Sequence, residues 1–282
     1  MEMICQISAD KEIIIPENYK MDKIINIKRY ICGREEFNFS DLYRKCSIGK
    51  KLLPINVFLI EHKKRGNILI NTGCSSLLKK NPTSFAALLT KHRLSFTKDD
   101  EICTQLLKEG SDPLIIKKVL LTQCTPDCCG GLPMLPRYEL ISTAQVMTVH
   151  WLADPSDGVM KSTLAGEEIK KTAAGLYKGT NFIKDYFKWV FDVFGDGTVL
   201  ALDLSGYAKA MAGFFLTEKN IFFAADASID MTAVEEGLVP GDKLLSRAFY
   251  PDDYISVIAT LRRLHKEHPE IRFLFSHSEE DI

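Results

Sequence analysis

Val119-Leu120-Leu121-Thr122-Gln123-Cys124-Thr125-Pro126-Asp127-Cys128-Cys129-Gly130-Gly131 is the stretch that decides how this chain is read. A strand-forming apolar run stops at Thr122, and a polar turn rich in potential ligands follows. The paired glycines at its end let backbone approach closely. A ligand-bearing turn just past the carboxyl end of a buried strand is where α/β proteins commonly build a site.

The flanking sequence supplies the frame. Ile55–Glu61 and Asn67–Gly73 are apolar runs around a charged Lys63-Lys64-Arg65-Gly66 turn, which predicts a β-hairpin. Helical spacing covers Ser84–His92 and Lys98–Glu109, and Glu139–Ser142 reads as a short strand whose follower, Thr143, caps a helix to about Leu152. Further on, Trp189–Phe194, Val199–Leu204, Ala212–Leu216 and Ile221–Ala225 have β character. Asp252–His268 is an amphipathic helix with Tyr254, Ile255, Ile258, Leu261 and Leu264 along one side. Strand Ile271–Phe275 then delivers Ser276 and His277.

Two regions are less regular. Residues 1–50 hold short β-like pieces (Ile4–Ser8, Ile24–Cys32) and a polar stretch near Glu35–Lys45, read as a sheet edge and a covering flap. Residues 154–186 form a Gly-, Ser- and Lys-rich insertion, helical in its Leu164–Tyr177 portion, that either overhangs the site or is a solvated excursion.

Bulk properties narrow the function. At 282 residues, 46% hydrophobic and 26% charged, the chain is expected to form one large α/β domain with a substantial core. A net charge of -1 gives no field favouring nucleic acid or an anionic membrane. No apolar run is long enough to span a bilayer, and the start Met-Glu-Met-Ile-Cys-Gln is unlike a signal peptide, so a cytoplasmic location with reduced thiols is expected. Most of the eight cysteines read as small buried hydrophobes.

The central stretch resembles the metal-binding loop of the metallo-β-lactamase-fold hydrolases, Thr-His-x-His-x-Asp-His-x-Gly-Gly. Asp127, Gly130 and Gly131 match, whereas Gln123, Thr125 and Cys128 stand at the histidine positions. Ile68-Leu69-Ile70-Asn71-Thr72-Gly73 is similar to the family's Ile-Leu-Ile-Asp-Thr-Gly strand, with Asn71 in place of the aspartate that supports the loop. The likeness covers roughly residues 53–280 and implies a four-layer αβ/βα sandwich of two mixed sheets flanked by helices. In spacing it is nearest to N-acyl-homoserine lactonase-like members. Those carry a tyrosine shortly after their bridging aspartate, where this chain reads Ser228-Ile229-Asp230.

Carried over position by position, the resemblance implies an uneven site. The first metal position would face Gln123, Thr125 and Tyr207, none of them a good zinc ligand. The second would draw on Asp127, Cys128, Asp226 and His277, a set able to hold one Zn or Fe ion. Each of these residues also has an ordinary explanation: Asp127 as a helix cap, Cys128 as a buried thiol, Asp226 as a strand-end residue, His277 as a hydrogen-bonded core imidazole. Cys124 and Cys128 could also pair on oxidation or take a soft metal, whereas adjacent Cys128 and Cys129 would form a strained bond. Two functions stay open. One is a metal-dependent hydrolase with at most a mononuclear site, acting on an ester, lactone or similar small molecule. The other is an inactive relative, with no metal, that binds a small molecule or protein partner in the former cleft through Gln123, Thr125, Tyr207 and Asn71. Nothing in the sequence fixes an oligomeric state.

Overall fold

Two mixed β-sheets pack against each other, and strands of both end at the same place. The structure, a computed structural model, describes residues 23–44, 49–77, 93–147, 170–280 and 282. The first sheet contains β1 (Ile24–Asn38), β2 (Lys50–His62), β3 (Gly66–Ile70), β4 (Leu94–Ser95), β5 (Ile116–Leu120), β6 (Glu139–Ser142) and β7 (Lys170–Ala173). Their order is β4-β1-β2-β3-β5-β6-β7, antiparallel through the β1-β2-β3 meander and parallel from β3 to β7. The second contains β8 (Gly175–Leu176), β9 (Val190–Asp192), β10 (Val199–Asp203), β11 (Ala212–Leu216), β12 (Ile221–Phe223) and β13 (Arg272–Leu274). It runs β13-β12-β11-β10-β9-β8, with β12 and β13 parallel and the rest antiparallel.

The second sheet is buried on both faces, and period-two alternation sorts its side chains. Val199, Ala201, Phe214, Leu216 and Phe223 join the core shared with β2, β3, β5 and β6, whereas Leu200, Leu202, Phe215 and Phe222 point the other way. That outer face is covered by helix α6 (Pro251–Glu267), the last of the described helices. Tyr254, Ile258, Leu261 and Leu264 form its buried stripe, and each fully buried leucine contributes about 1.5–3 kcal/mol. Ile255, expected on the same side, faces outward at 37% exposure.

The other described helices are short: α1 (Phe39–Leu42), α2 (Ile102–Lys108), α3 (Pro126–Cys129), α4 (Met231–Glu236) and α5 (Asp242–Leu245), with helical backbone also over residues 144–147, the described part of the helix expected up to Leu152. The expected Lys98–Glu109 helix is interrupted at Glu101, whose extended backbone separates a 3-10 turn over Lys98–Asp100 from α2. Residues expected to be helical up to Tyr177 include β7 and β8 instead, because Glu139–Ser142 offers Lys170–Ala173 a parallel partner. β1 is longer than predicted and pairs with β2 almost throughout, with β4 reaching only Arg34 and Glu35, so it lies one strand in from the sheet edge. Ile4–Ser8, Ser84–His92 and residues 154–169 fall outside the described residues.

The loop after β5 is pressed onto the chain leaving β3. Thr72 N donates to Cys128 O at 2.7 Å, and Gly131 N donates to Gly73 O at 2.8 Å. A Cβ on Gly131 would stand 2.4 Å from the Thr72 carbonyl oxygen. Gly131→Ala is therefore expected to destabilise the protein by about 1–3 kcal/mol through overpacking. Gly175→Ala, where a Cβ meets nothing within 4 Å, should change the urea midpoint little.

Candidate functional site

Four chain crossings meet at one edge of the sandwich. Parallel pairing of β3 with β5 and of β12 with β13 sends the carboxyl ends of each pair the same way. Past β5 comes the turn that ends in α3 and carries Asp127 and Cys128 on its first helical turn. Past β12, Ala225 takes a left-handed backbone (φ 51°), an unusual conformation for an alanine, and turns Asp226 inward. Past β13 comes His277.

Asp127, Asp226 and His277 come together. A carboxylate oxygen from each aspartate and one ring nitrogen all lie within 4.8 Å of one another, and all three residues are buried. His277 Nδ1 lies 2.9 Å from Pro54 O. A carbonyl only accepts, so Nδ1 holds the hydrogen and Nε2 faces the carboxylates. Nε2 is 3.7 Å from Asp226 Oδ1 and 4.0 Å from Asp127 Oδ2. These gaps are too long for hydrogen bonds. Tetrahedral donors around an ion with bonds of about 2.0–2.2 Å stand roughly 3.4 Å apart, close to what is seen.

Asp226 is the most informative member. Gln123 Nε2 donates to its Oδ2 and also to Thr125 Oγ1 at 3.1 Å. Asp226 Oδ1, although buried, has no hydrogen-bond partner, and neither does Gln123 Oε1. Burial, with Asp127 beside it, holds the Asp226 carboxyl above its usual range, although His277 opposes this. Burial pulls the His277 imidazole down, but Asp226, Glu35, Asp127 and the Pro54 carbonyl outweigh it, so its net shift is upward.

The remaining expected residues surround this centre at different depths. Gln123, Thr125 and Tyr207 line a small recess, with a cavity volume of about 20 Å³, together with Asp127, Asp226 and His277. Tyr207 packs on Tyr254 with ring centroids 5.5 Å apart. Asn71 does not reach the recess. It sits beneath the loop in a left-handed conformation (φ 60°), and its Oδ1 accepts from Thr122 N and Thr122 Oγ1, both at 3.0 Å. The Cys128 thiol stands outside the mutual set of three: it donates to Asp127 Oδ2 at 3.4 Å and accepts from Thr122 Oγ1 at 3.6 Å. Asp230 caps α4 through Thr232 N at 3.0 Å and accepts from Tyr43 at 2.8 Å, so this segment serves packing.

Glu35 also lines the recess, and the sequence reading did not single it out. It is 8% exposed, and its Oε2 lies 3.7 Å from His277 Nε2. The reason it escaped notice is a bulge. Ile31 pairs with Asn56 and Arg34 with Pro54, so β1 carries one extra residue around Gly33, whose φ is 120°. Tyr30 and Cys32 face the core before the bulge, and strict alternation would place Glu35 outside.

Neither a family model nor a curated protein matches this chain by sequence. Solved structures do match it in shape. An N-acyl homoserine lactone hydrolase with the product N-hexanoyl-L-homoserine at its catalytic metal centre aligns with a TM-score of 0.68 and 16% identity, over 91% of this chain and 94% of its own. A probable metal-dependent hydrolase from Staphylococcus aureus aligns at 0.63 and 13%, over 92% and 91%. A dizinc quorum-quenching lactonase in complex with a product aligns at 0.56 and 14%, over 90% of each chain. The chain has the metallo-β-lactamase fold. Two mixed sheets flanked by helices are what that fold requires. No described helix is long and apolar enough to cross a membrane.

The six described cysteines are all buried. Burial pushes the Cys124 thiol up to about 12 from an ordinary value of 9.0. Between those values the unfolded chain has lost a proton that the folded chain keeps. Cys124 therefore adds stability that is fully present below about pH 9 and lost as pH rises through 12. Over that window the slope is about -1.4 kcal/mol per pH unit. Cys124→Ala should flatten the alkaline limb of the urea-stability profile by that amount, and an unchanged limb would show the thiol ionising freely.

Proposed function

We propose that this protein is a metallo-β-lactamase-like hydrolase with a single divalent-metal position, acting on an ester, lactone or related small molecule. The observation that carries the reading is the divided environment of Asp226. One carboxylate oxygen is occupied by the Gln123 amide, and the other is buried without a partner, facing Nε2 of His277. In the resemblance that aspartate bridges two metals. Here the amide occupies one side, and Asp127, Asp226 and His277 leave an ion-sized gap on the other.

The donor chemistry fits a cation. Two carboxylates and an imidazole with a free Nε2 are ligand types of zinc and iron sites. Catalytic zinc sites can expand to five donors, which leaves a position for water or substrate beside the protein ligands. A bound ion would supply Lewis-acid polarisation of a carbonyl and a more acidic water. The chain's own groups do the rest. Gln123 Oε1 is a buried acceptor at the recess, and Tyr207 presents a phenol whose proton burial holds firmly, so it acts as a donor. Gln123 and Tyr207 thus provide one acceptor and one donor for a small polar substrate. The shape match to lactone hydrolases supports trying acyl-homoserine lactones and simpler esters first.

Elemental analysis of protein purified without chelator or added metal tests the reading. About one equivalent of zinc or iron is expected, lost in Asp127→Ala and His277→Ala together with any hydrolysis of a lactone panel. Metal far below stoichiometry, with no uptake on titration and retained binding of a small ligand, would favour the inactive binding protein instead.

A further inference from the structure

The geometry points to Glu35 of β1 as a fourth side chain that holds the ion, completing a donor set of three carboxylates and one imidazole. This rests on the single-metal reading above. It departs from the loop positions implied by resemblance, because Glu35 comes from the antiparallel meander and not from the motif.

Three observations converge on it. The extra residue at Gly33 turns Glu35 inward, while the next residue, Glu36, faces out to Lys50 and Arg93. Bulges beside functional sites commonly re-aim a side chain in this way. The Glu35 carboxylate lies 3.7 Å from His277 Nε2, the same spacing that Asp226 Oδ1 keeps from that nitrogen. Independently, Asp226 Oδ1 is unpartnered at 7% residue exposure and lies in the same recess. Glu35 is outside the set of donors mutually within 4.8 Å, so the proposal requires it to take another rotamer when the ion binds.

Cys128 donates its thiol proton to Asp127, a contact that would be lost when the sulfur binds a metal, because binding removes that proton. A centre of three carboxylates and one imidazole is hard and oxygen-rich. Such a set accepts Mn²⁺, Fe²⁺ or Zn²⁺ and gives no advantage to thiophilic ions.

Optical titration of the full chain with Co²⁺ decides the matter without an activity assay. Wild type should bind one Co²⁺ and show no thiolate-to-cobalt charge-transfer band. Glu35→Gln should weaken binding by about tenfold or more, and Cys128→Ser by less than about threefold. Circular dichroism establishes that each variant is folded. Should Glu35→Gln not fold, Glu35→Asp is read instead, and a weakened affinity with an altered cobalt visible spectrum is expected. Wild-type affinity and spectrum in the folded Glu35 variant, or a thiolate band lost in Cys128→Ser, would overturn the assignment while leaving the metal reading intact. Absence of Co²⁺ uptake by wild type would overturn both.

Discussion

The contact between the loop after β5 and the chain leaving β3 is the constraint from which the site follows. Two backbone hydrogen bonds, Thr72 N to Cys128 O and Gly131 N to Gly73 O, hold the segments at a separation that excludes a Cβ on Gly131. Asn71 secures the start of the same loop through Thr122. Asp127 has little freedom once these are made, because it lies in a single helical turn anchored at both ends. The parallel register of β12 and β13 fixes the other half, bringing the residues after Phe223 beside those after Leu274. The site is a meeting of strand ends, and its geometry is inherited from sheet pairing.

Within that frame the electrostatics are lopsided. Asp127, Asp226 and Glu35 surround one imidazole in a buried place, where carboxylates without a cation are costly. Gln123 relieves one oxygen of Asp226 and leaves the other exposed to the gap. The amide donates one hydrogen bond to Asp226 Oδ2 and so offsets part of its charge. At Asn71 a neutral carbonyl oxygen accepts both Thr122 bonds, so the loop is supported without a negative charge. Both features accord with the proposed single-ion centre.

Much of the fold was readable from local pattern. The β2–β3 hairpin announced itself through apolar runs around Gly66, which adopts a φ of 73° at the turn. The second-sheet strands showed as short apolar blocks because both their faces are covered. Lys170–Leu176 failed because its strand character comes from pairing with β6 and β9, partners that local composition does not reveal. Among site residues, Asp127, Asp226 and His277 each follow a recognisable strand, which is why position in the chain was informative. Glu35 was hidden because a single inserted residue inverts the inside–outside phase of β1. The orientation of the Cys128 thiol was equally hidden, since it is set by Thr122 and Asp127 across a turn.

A crystal structure of the protein soaked in Mn²⁺, with anomalous differences collected, tests the central claim most directly. One anomalous peak is expected, bounded by Asp127, Asp226 Oδ1 and His277 Nε2, with the Gln123 amide still on Asp226 Oδ2. Two peaks sharing Asp226, or no peak in the recess, would contradict a centre divided between one ion and one amide.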